Sequence, residues 1–115
     1  MCYQLEVLDI REYTAPDGNS PFARWFDRLN AEAAAKVAVA LTRMQHSNLS
    51  NVKAVASGVH EYRIDFGPGY RVYFGRDGPS LIILLGGGTK KRQQSDIRRA
   101  LTLWTAYKIR KRKAT

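Results

Sequence analysis

Between Glu61 and Phe74 the chain alternates apolar and polar residues on both sides of a Gly67-Pro68-Gly69 turn, and no other stretch restricts the fold as tightly. Tyr62, Ile64 and Phe66 share one parity and Glu61, Arg63 and Asp65 the other; past the turn, Tyr70, Val72 and Phe74 alternate with Arg71 and Tyr73. A period of two on both arms predicts an antiparallel hairpin. The same period assigns faces: if the apolar set turns to the core, two arginines, two carboxylates and a tyrosine project from the opposite side. Cross-strand ion pairing on a solvent face would explain that set at about a few tenths of a kcal/mol per pair. That is the commoner origin of such a set, and a functional surface is the alternative. His60, which opens the first arm, could reach the same face.

The remaining elements arrange themselves around this hairpin. Ser80 to Leu85 is apolar at both parities and reads as a central strand, ended by Gly86-Gly87-Gly88. Tyr3, Leu5 and Val7 alternate with Gln4 and Glu6, which predicts an N-terminal strand. After the turn chemistry of Ala15-Pro16-Asp17-Gly18-Asn19, Ser20 and Pro21 suit the N-cap and first position of a helix carrying Phe22, Trp25, Phe26 and Leu29. Asn30 caps a second helix with Ala34, Val37, Ala38, Leu41 and Met44 on one face, ending at His46 to Ser50, and the two should form an antiparallel hairpin. Ser95 or Asp96 would cap a last helix bearing Ile97, Ala100, Leu101, Trp104 and Tyr107. The expectation is an α+β fold in the order β-α-α-β-β-β-α. It has a small antiparallel sheet, made of a meander plus the N-terminal strand, with an N-terminal helical hairpin and a C-terminal helix packed on one face.

The 115 residues suit one domain over 1–115, large enough to bury a core without staples. The lone Cys2 excludes an intrachain disulfide, and the longest apolar run, Leu81 to Leu85, is too short to span a bilayer. With no signal-peptide order at the N-terminus, a cytoplasmic protein without membrane attachment is expected. The formal charge is +9, and from Thr89 onward ten basic residues face a single acidic one, Asp96, so the rest of the chain is neutral. Such a block attracts phosphate backbones, anionic lipid or an acidic protein, although Arg110 to Lys113 taken alone would serve as a solvated tail.

Gly86-Gly87-Gly88 followed by Thr89-Lys90-Lys91-Arg92 and a helix makes an anion site physically reasonable, without the spacing of a Walker A loop. A flexible connection with solvated cations is the plainer reading. Cys2, His46 and His60 offer no zinc spacing, and no serine sits in a nucleophile elbow. Neither metal nor organic cofactor is therefore expected. Trp25 and Trp104 lie on apolar helical faces and belong to the core.

The string Glu61-Tyr62-Arg63-Ile64-Asp65-Phe66-Gly67-Pro68-Gly69-Tyr70-Arg71-Val72-Tyr73-Phe74 resembles the hairpin of the RelE/ParE toxin superfamily, and within it the HigB-like "addiction module killer protein" group. Gly87-Gly88-Thr89-Lys90 with Gln93-Gln94-Ser95-Asp96-Ile97 and Ala100 is similar to that group's second signature, and Ser20-Pro21-Phe22 with Trp25 and Leu29 fits its first helix. The resemblance implies a RelE-like fold and the toxin of a type II toxin–antitoxin module. That toxin would be a metal-independent endoribonuclease that cuts mRNA on the ribosome and is silenced by a cognate antitoxin, a helix-turn-helix protein.

It further implies that Arg63, Arg71 and Lys90 or Lys91 bind the scissile phosphate while the ribose 2′-hydroxyl attacks. The products would be a 2′,3′-cyclic phosphate and a 5′-hydroxyl end. Guanidinium suits bidentate phosphate contact, and lysine suits charge or proton transfer. Two positions depart from RelE: Ile97 stands where RelE has a catalytic tyrosine, and Asp65 where it has a lysine. Tyr73, Asp96 or His60 could supply the missing proton-transfer group. Arg92, Arg98, Arg99, Lys108, Arg110, Lys111 and Arg112 are the further cations open to RNA. The alternatives are a ParE-type poison of DNA gyrase, against which the paired hairpin arginines argue, and a non-catalytic nucleic-acid-binding module.

Overall fold

In the computed structural model, which describes residues 7–114, the chain runs β1 (Asp9–Glu12), α1 (Pro21–Asp27), α2 (Ala31–Gln45), β2 (Val52–Ala56), β3 (Val59–Ile64), β4 (Tyr70–Arg76), β5 (Leu81–Thr89), a 3-10 turn over Lys90–Arg92, and α3 (Gln93–Ala114). The mixed α+β architecture is the expected one. The hairpin is β3 and β4, antiparallel, with Tyr62 opposite Val72 and Arg63 opposite Arg71. The strands form one sheet in the order β1-β5-β4-β3-β2. The alternating Tyr3, Leu5 and Val7 lie outside the described residues except for Val7, which is exposed. The first strand described is β1, and it pairs parallel with β5 where an antiparallel partner was expected.

Local chemistry sets the helix starts. The Ser20 hydroxyl accepts from the Ala23 N–H with Pro21 at the first position, and the Asn30 side chain accepts from the Ala33 N–H, both as the sequence indicates. The apolar stripe of α2 is rotated slightly from expectation: Ala33, Val37, Ala40 and Met44 are buried, whereas Ala38 is exposed. The start of α3 differs too. It begins at Gln93, directly after the 3-10 turn, so Ser95 and Asp96 sit inside its first turn and neither is the cap.

The helices occupy both sides of the sheet, not one. Phe22, Trp25, Val37, Ala40 and Met44 from α1 and α2 pack with Tyr62, Ile64, Val72, Phe74, Ile82 and Leu84. Ala100 and Trp104 of α3 pack with Val59, Tyr73, Ile83 and Leu85 on the other face. The double parity of Ile82–Leu85 is the physical reason, since a strand apolar on both sides needs cover on both. Among the described residues no helix is long and apolar enough to cross a membrane.

The glycine run does not end β5. Gly86, Gly87 and Gly88 pair with Tyr73, Val72 and Arg71, past a bulge that shifts the register between Tyr73 and Phe74. Side chains from the two layers explain the glycines: a Cβ on Gly87 would overlap the Trp25 ring, and one on Gly88 the Asp96 carboxylate. Their backbone is therefore used in the sheet and does not form an open anion loop.

Candidate functional site

β2, the strand that sequence periodicity missed, completes a groove at the turn end of the β3–β4 hairpin. Its walls are Ser50, Asn51, Val52 and Lys53 on one side and Arg63, Ile64, Asp65, Gly69, Arg71 and Lys90 on the other, around about 400 Å³. Four of these side chains are cationic and one, Asp65, is acidic. Arg63 and Arg71 stand directly opposite each other in the ladder. Like charges so placed repel, and a purely structural sheet has no use for them.

The two arginines are held differently. Arg63 is exposed, whereas Arg71 is only 5% exposed. The Arg71 Nη1 donates to the Gly69 carbonyl at 3.2 Å, and its Nε lies 3.7 Å from Oε2 of Glu61, which is itself 1% exposed. The same Gly69 carbonyl accepts from the Lys90 backbone N–H at 2.8 Å, which ties the turn to the start of the 3-10 segment. Glu61 in turn accepts from the Gln93 side-chain amide at 3.0 and 3.3 Å. The face read from alternation as solvent-facing is thus partly roofed by the first turn of α3. Glu61, Arg71 and Tyr73 are buried there.

Of the residues singled out for chemistry, Arg63, Arg71 and Lys90 come together in the groove. Lys91 is exposed beside it and does not line it. Tyr73 and Asp96 line a separate cavity of about 50 Å³ with Trp25, Arg28 and Arg99. Burial, reinforced by the carboxylates of Glu61 and Asp96, holds the Tyr73 phenol far above the ordinary tyrosine range, so it stays protonated. Burial also raises Asp96, against the lowering influence of Arg99 and Arg92. The Tyr73 hydroxyl and Asp96 Oδ2 are both buried without a hydrogen-bond partner.

His60 cannot reach the arginine face. It stacks on Phe74 at 5.5 Å on the α1–α2 side, and its pKa is lowered by burial and then by Arg76.

The cations of α3 divide into groups. Arg92 and Arg98 are exposed on its approach and first turns, and Arg99 lies 3.9 Å from Asp96. Lys108, Lys111 and Arg112 border a hollow of about 330 Å³ with Arg76, Asp77, Trp104 and Tyr107. Lys111 is paired with Asp77, and Lys108 sits over the Trp104 ring at 5.9 Å. Arg110 donates to the Thr14 carbonyl at 2.7 Å and lies over the Tyr13 ring at 5.3 Å. The C-terminal block is therefore no free tail. Among the described residues no group of three His, Cys, Asp or Glu is placed to hold a metal ion.

Sequence reasoning overlooked Lys53, Asn51 and Ser50, because Val52–Ala56 is short and alanine-rich. The available signal was Ser57-Gly58, the two-residue link between Ala56 and Val59, with Gly58 at φ +75° beneath Trp104.

Comparison with known proteins bears on this arrangement. A family model described as "Phage derived protein Gp49-like (DUF891)" matches residues 24–105, which include both hairpin strands, the groove and most of α3. An uncharacterized protein of Haemophilus influenzae (strain ATCC 51907 / DSM 11121 / KW20 / Rd) is 42% identical over 83 residues, covering 71% of this chain and 84% of that protein.

Proposed function

The chain belongs to the phage-derived Gp49-like family, a toxin-like family of the RelE addiction-module type, and from that premise we propose that it is a HigB-like, ribosome-dependent mRNA endoribonuclease neutralised by a cognate helix-turn-helix antitoxin. The observation that carries this reading is the pair of arginines facing each other across the β3–β4 ladder, with Lys53 and Lys90 beside them in one groove. A phosphate resolves the repulsion of such a set, and guanidinium groups offer it paired donors.

In the proposed reaction the ribose 2′-oxygen attacks the adjacent phosphorus and the bond to the 5′-oxygen breaks. Arg63 and Arg71 stabilise the charge that accumulates on the non-bridging oxygens. Asp65, the carboxylate in the groove wall, takes the 2′-hydroxyl proton, and the Lys90 ammonium supplies one to the departing 5′-oxygen. Tyr73, Asp96 and His60 are set aside for this step because none of them lines the groove.

The test is primer extension on mRNA translated in a reconstituted system with purified protein. New 5′-hydroxyl ends that appear only with ribosomes, and disappear when the product of an adjacent helix-turn-helix reading frame is added, are expected. Intact mRNA together with trapped gyrase–DNA cleavage complexes would replace this reading with gyrase poisoning.

A further inference from the structure

Arg71 poses a problem that its groove neighbours do not. It is 5% exposed and lies opposite a second arginine. A guanidinium left to itself there would swing outward to water, away from Arg63. Two groups oppose that: the Gly69 carbonyl, which accepts from Nη1, and the Glu61 carboxylate, whose charge lies 3.7 Å from the buried Nε without hydrogen-bonding it. Glu61 is almost wholly buried, it does not line the groove, and the cation paired with it is Arg71. Its cross-strand neighbour Lys53 makes no ion pair with it. Both Glu61 oxygens are instead gripped by the Gln93 amide, from the first residue of α3.

We propose that Glu61, held by Gln93, is the positioning residue that fixes the Arg71 guanidinium in the groove, so that its remaining donors meet the scissile phosphate already oriented. The clamp rests on the ribonuclease reading for its purpose, but not for its existence. Burying a carboxylate is costly unless it is paired and hydrogen-bonded, and the Arg71 cation and the Gln93 amide provide both. Catalysis gains because a cation already in place costs no reorganisation when charge develops in the transition state. The first turn of α3 thereby becomes part of the site without touching substrate.

The experiment combines the Nε–H resonance of Arg71 in ¹⁵N NMR spectra of the full chain with steady-state cleavage on ribosomes, for wild type, Glu61→Gln and Gln93→Ala. In folded Glu61→Gln the Arg71 signal is expected to move and to exchange with water at least about tenfold faster, while kcat falls about tenfold or more and KM stays within about threefold, the signature of an interaction that matters in the transition state. Gln93→Ala should act in the same direction with smaller effect, and it serves as the deciding variant if Glu61→Gln does not fold. An Arg71 signal and a kcat both unchanged in a folded variant, even one with a lowered melting temperature, would overturn the proposal by leaving the pair a purely structural role. A wild-type protein that cleaves nothing, while its Arg71 signal responds to Glu61→Gln, would overturn the ribonuclease reading and leave the clamp standing.

Discussion

At the scale of single residues, burial separates two arginines that look alike in the sequence. Arg71 shares a buried ion pair with Glu61, so Arg71→Ala would strand a carboxylate away from water, at a cost of about 3–5 kcal/mol. Alternation alone places Arg71 on the face opposite the apolar set, where a substitution would cost little; its burial against Glu61 means that loss of toxicity in Arg71→Ala would report unfolding as much as chemistry. Arg63 is the cleaner probe because it is exposed. Arg63→Ala should keep stability within about 0.5 kcal/mol while slowing cleavage by roughly 10². Thermal melts beside primer extension would check both halves, and a folded Arg63→Ala protein cutting at the wild-type rate would remove Arg63 from the proposed site. Arg71→Lys keeps the charge but loses the planar fork, and it should lie between these cases.

At the scale of elements, the glycines of β5 and the C-terminal turns of α3 change meaning once packing is known. Gly87 is where Trp25 of α1 closes on the strand, so Gly87→Ala should destabilise by about 1–3 kcal/mol through overpacking. Urea titration would measure it; a stable Gly87→Ala protein with weakened phosphate binding would restore the anion-loop reading.

The far end of α3 is tied to the β4–β5 turn through Asp77, which accepts from Tyr107 at 2.5 Å and pairs with Lys111. Hydrogen bonds from Lys111 and then Tyr107 hold the Asp77 carboxyl below its usual 3.8, while burial and that carboxylate push Tyr107 up to about 12. A depressed carboxyl pKa contributes stability above its unfolded value and loses it as the pH falls through the folded value. Lys111 is more than half exposed, so Asp77→Asn should cost no more than about 1 kcal/mol at pH 7. The gap should close in strong acid. Denaturant melts of both proteins at pH 7 and in strong acid would show it, and a gap that persists in acid would mean the carboxylate charge is not its source.

At the scale of the whole molecule, the excess charge is spread over different tasks. Arg110 and Lys111 fasten α3 to the body, whereas Lys91 and Arg92, which follow the groove residue Lys90, and Arg98 on α3 are exposed. Salt dependence of RNA binding should follow the second group. Removing one cation that neutralises a phosphate of single-stranded RNA should flatten the plot of log affinity against log salt by about 0.7. Lys91→Ala and Arg98→Ala, measured by anisotropy with a 2′-O-methyl oligonucleotide, are expected to do so; slopes equal to wild type would take these residues out of the RNA footprint. Removing Arg110 to Lys113 is a poorer test than the sequence suggests, since it also cuts the tethers to Thr14, Tyr13 and Asp77.

Local rules were enough for much of this protein. Alternation placed β3 and β4 and put Arg63 and Arg71 on one face; Ser20, Pro21 and Asn30 announced two helix starts; and the chain carried its positive charge openly after Thr89. These are short-range facts, since period, capping and charge depend on residues a few positions apart. Long-range packing settled the rest. β2 has too little periodicity of its own and exists as the partner of β3, bringing Lys53 and Asn51 to the groove. The burial of Glu61 and Arg71 depends on α3 crossing the second face, some thirty positions along the chain, where Gln93 meets Glu61. A period of two tells which side a residue is on; whether that side is wet depends on what else folds over it.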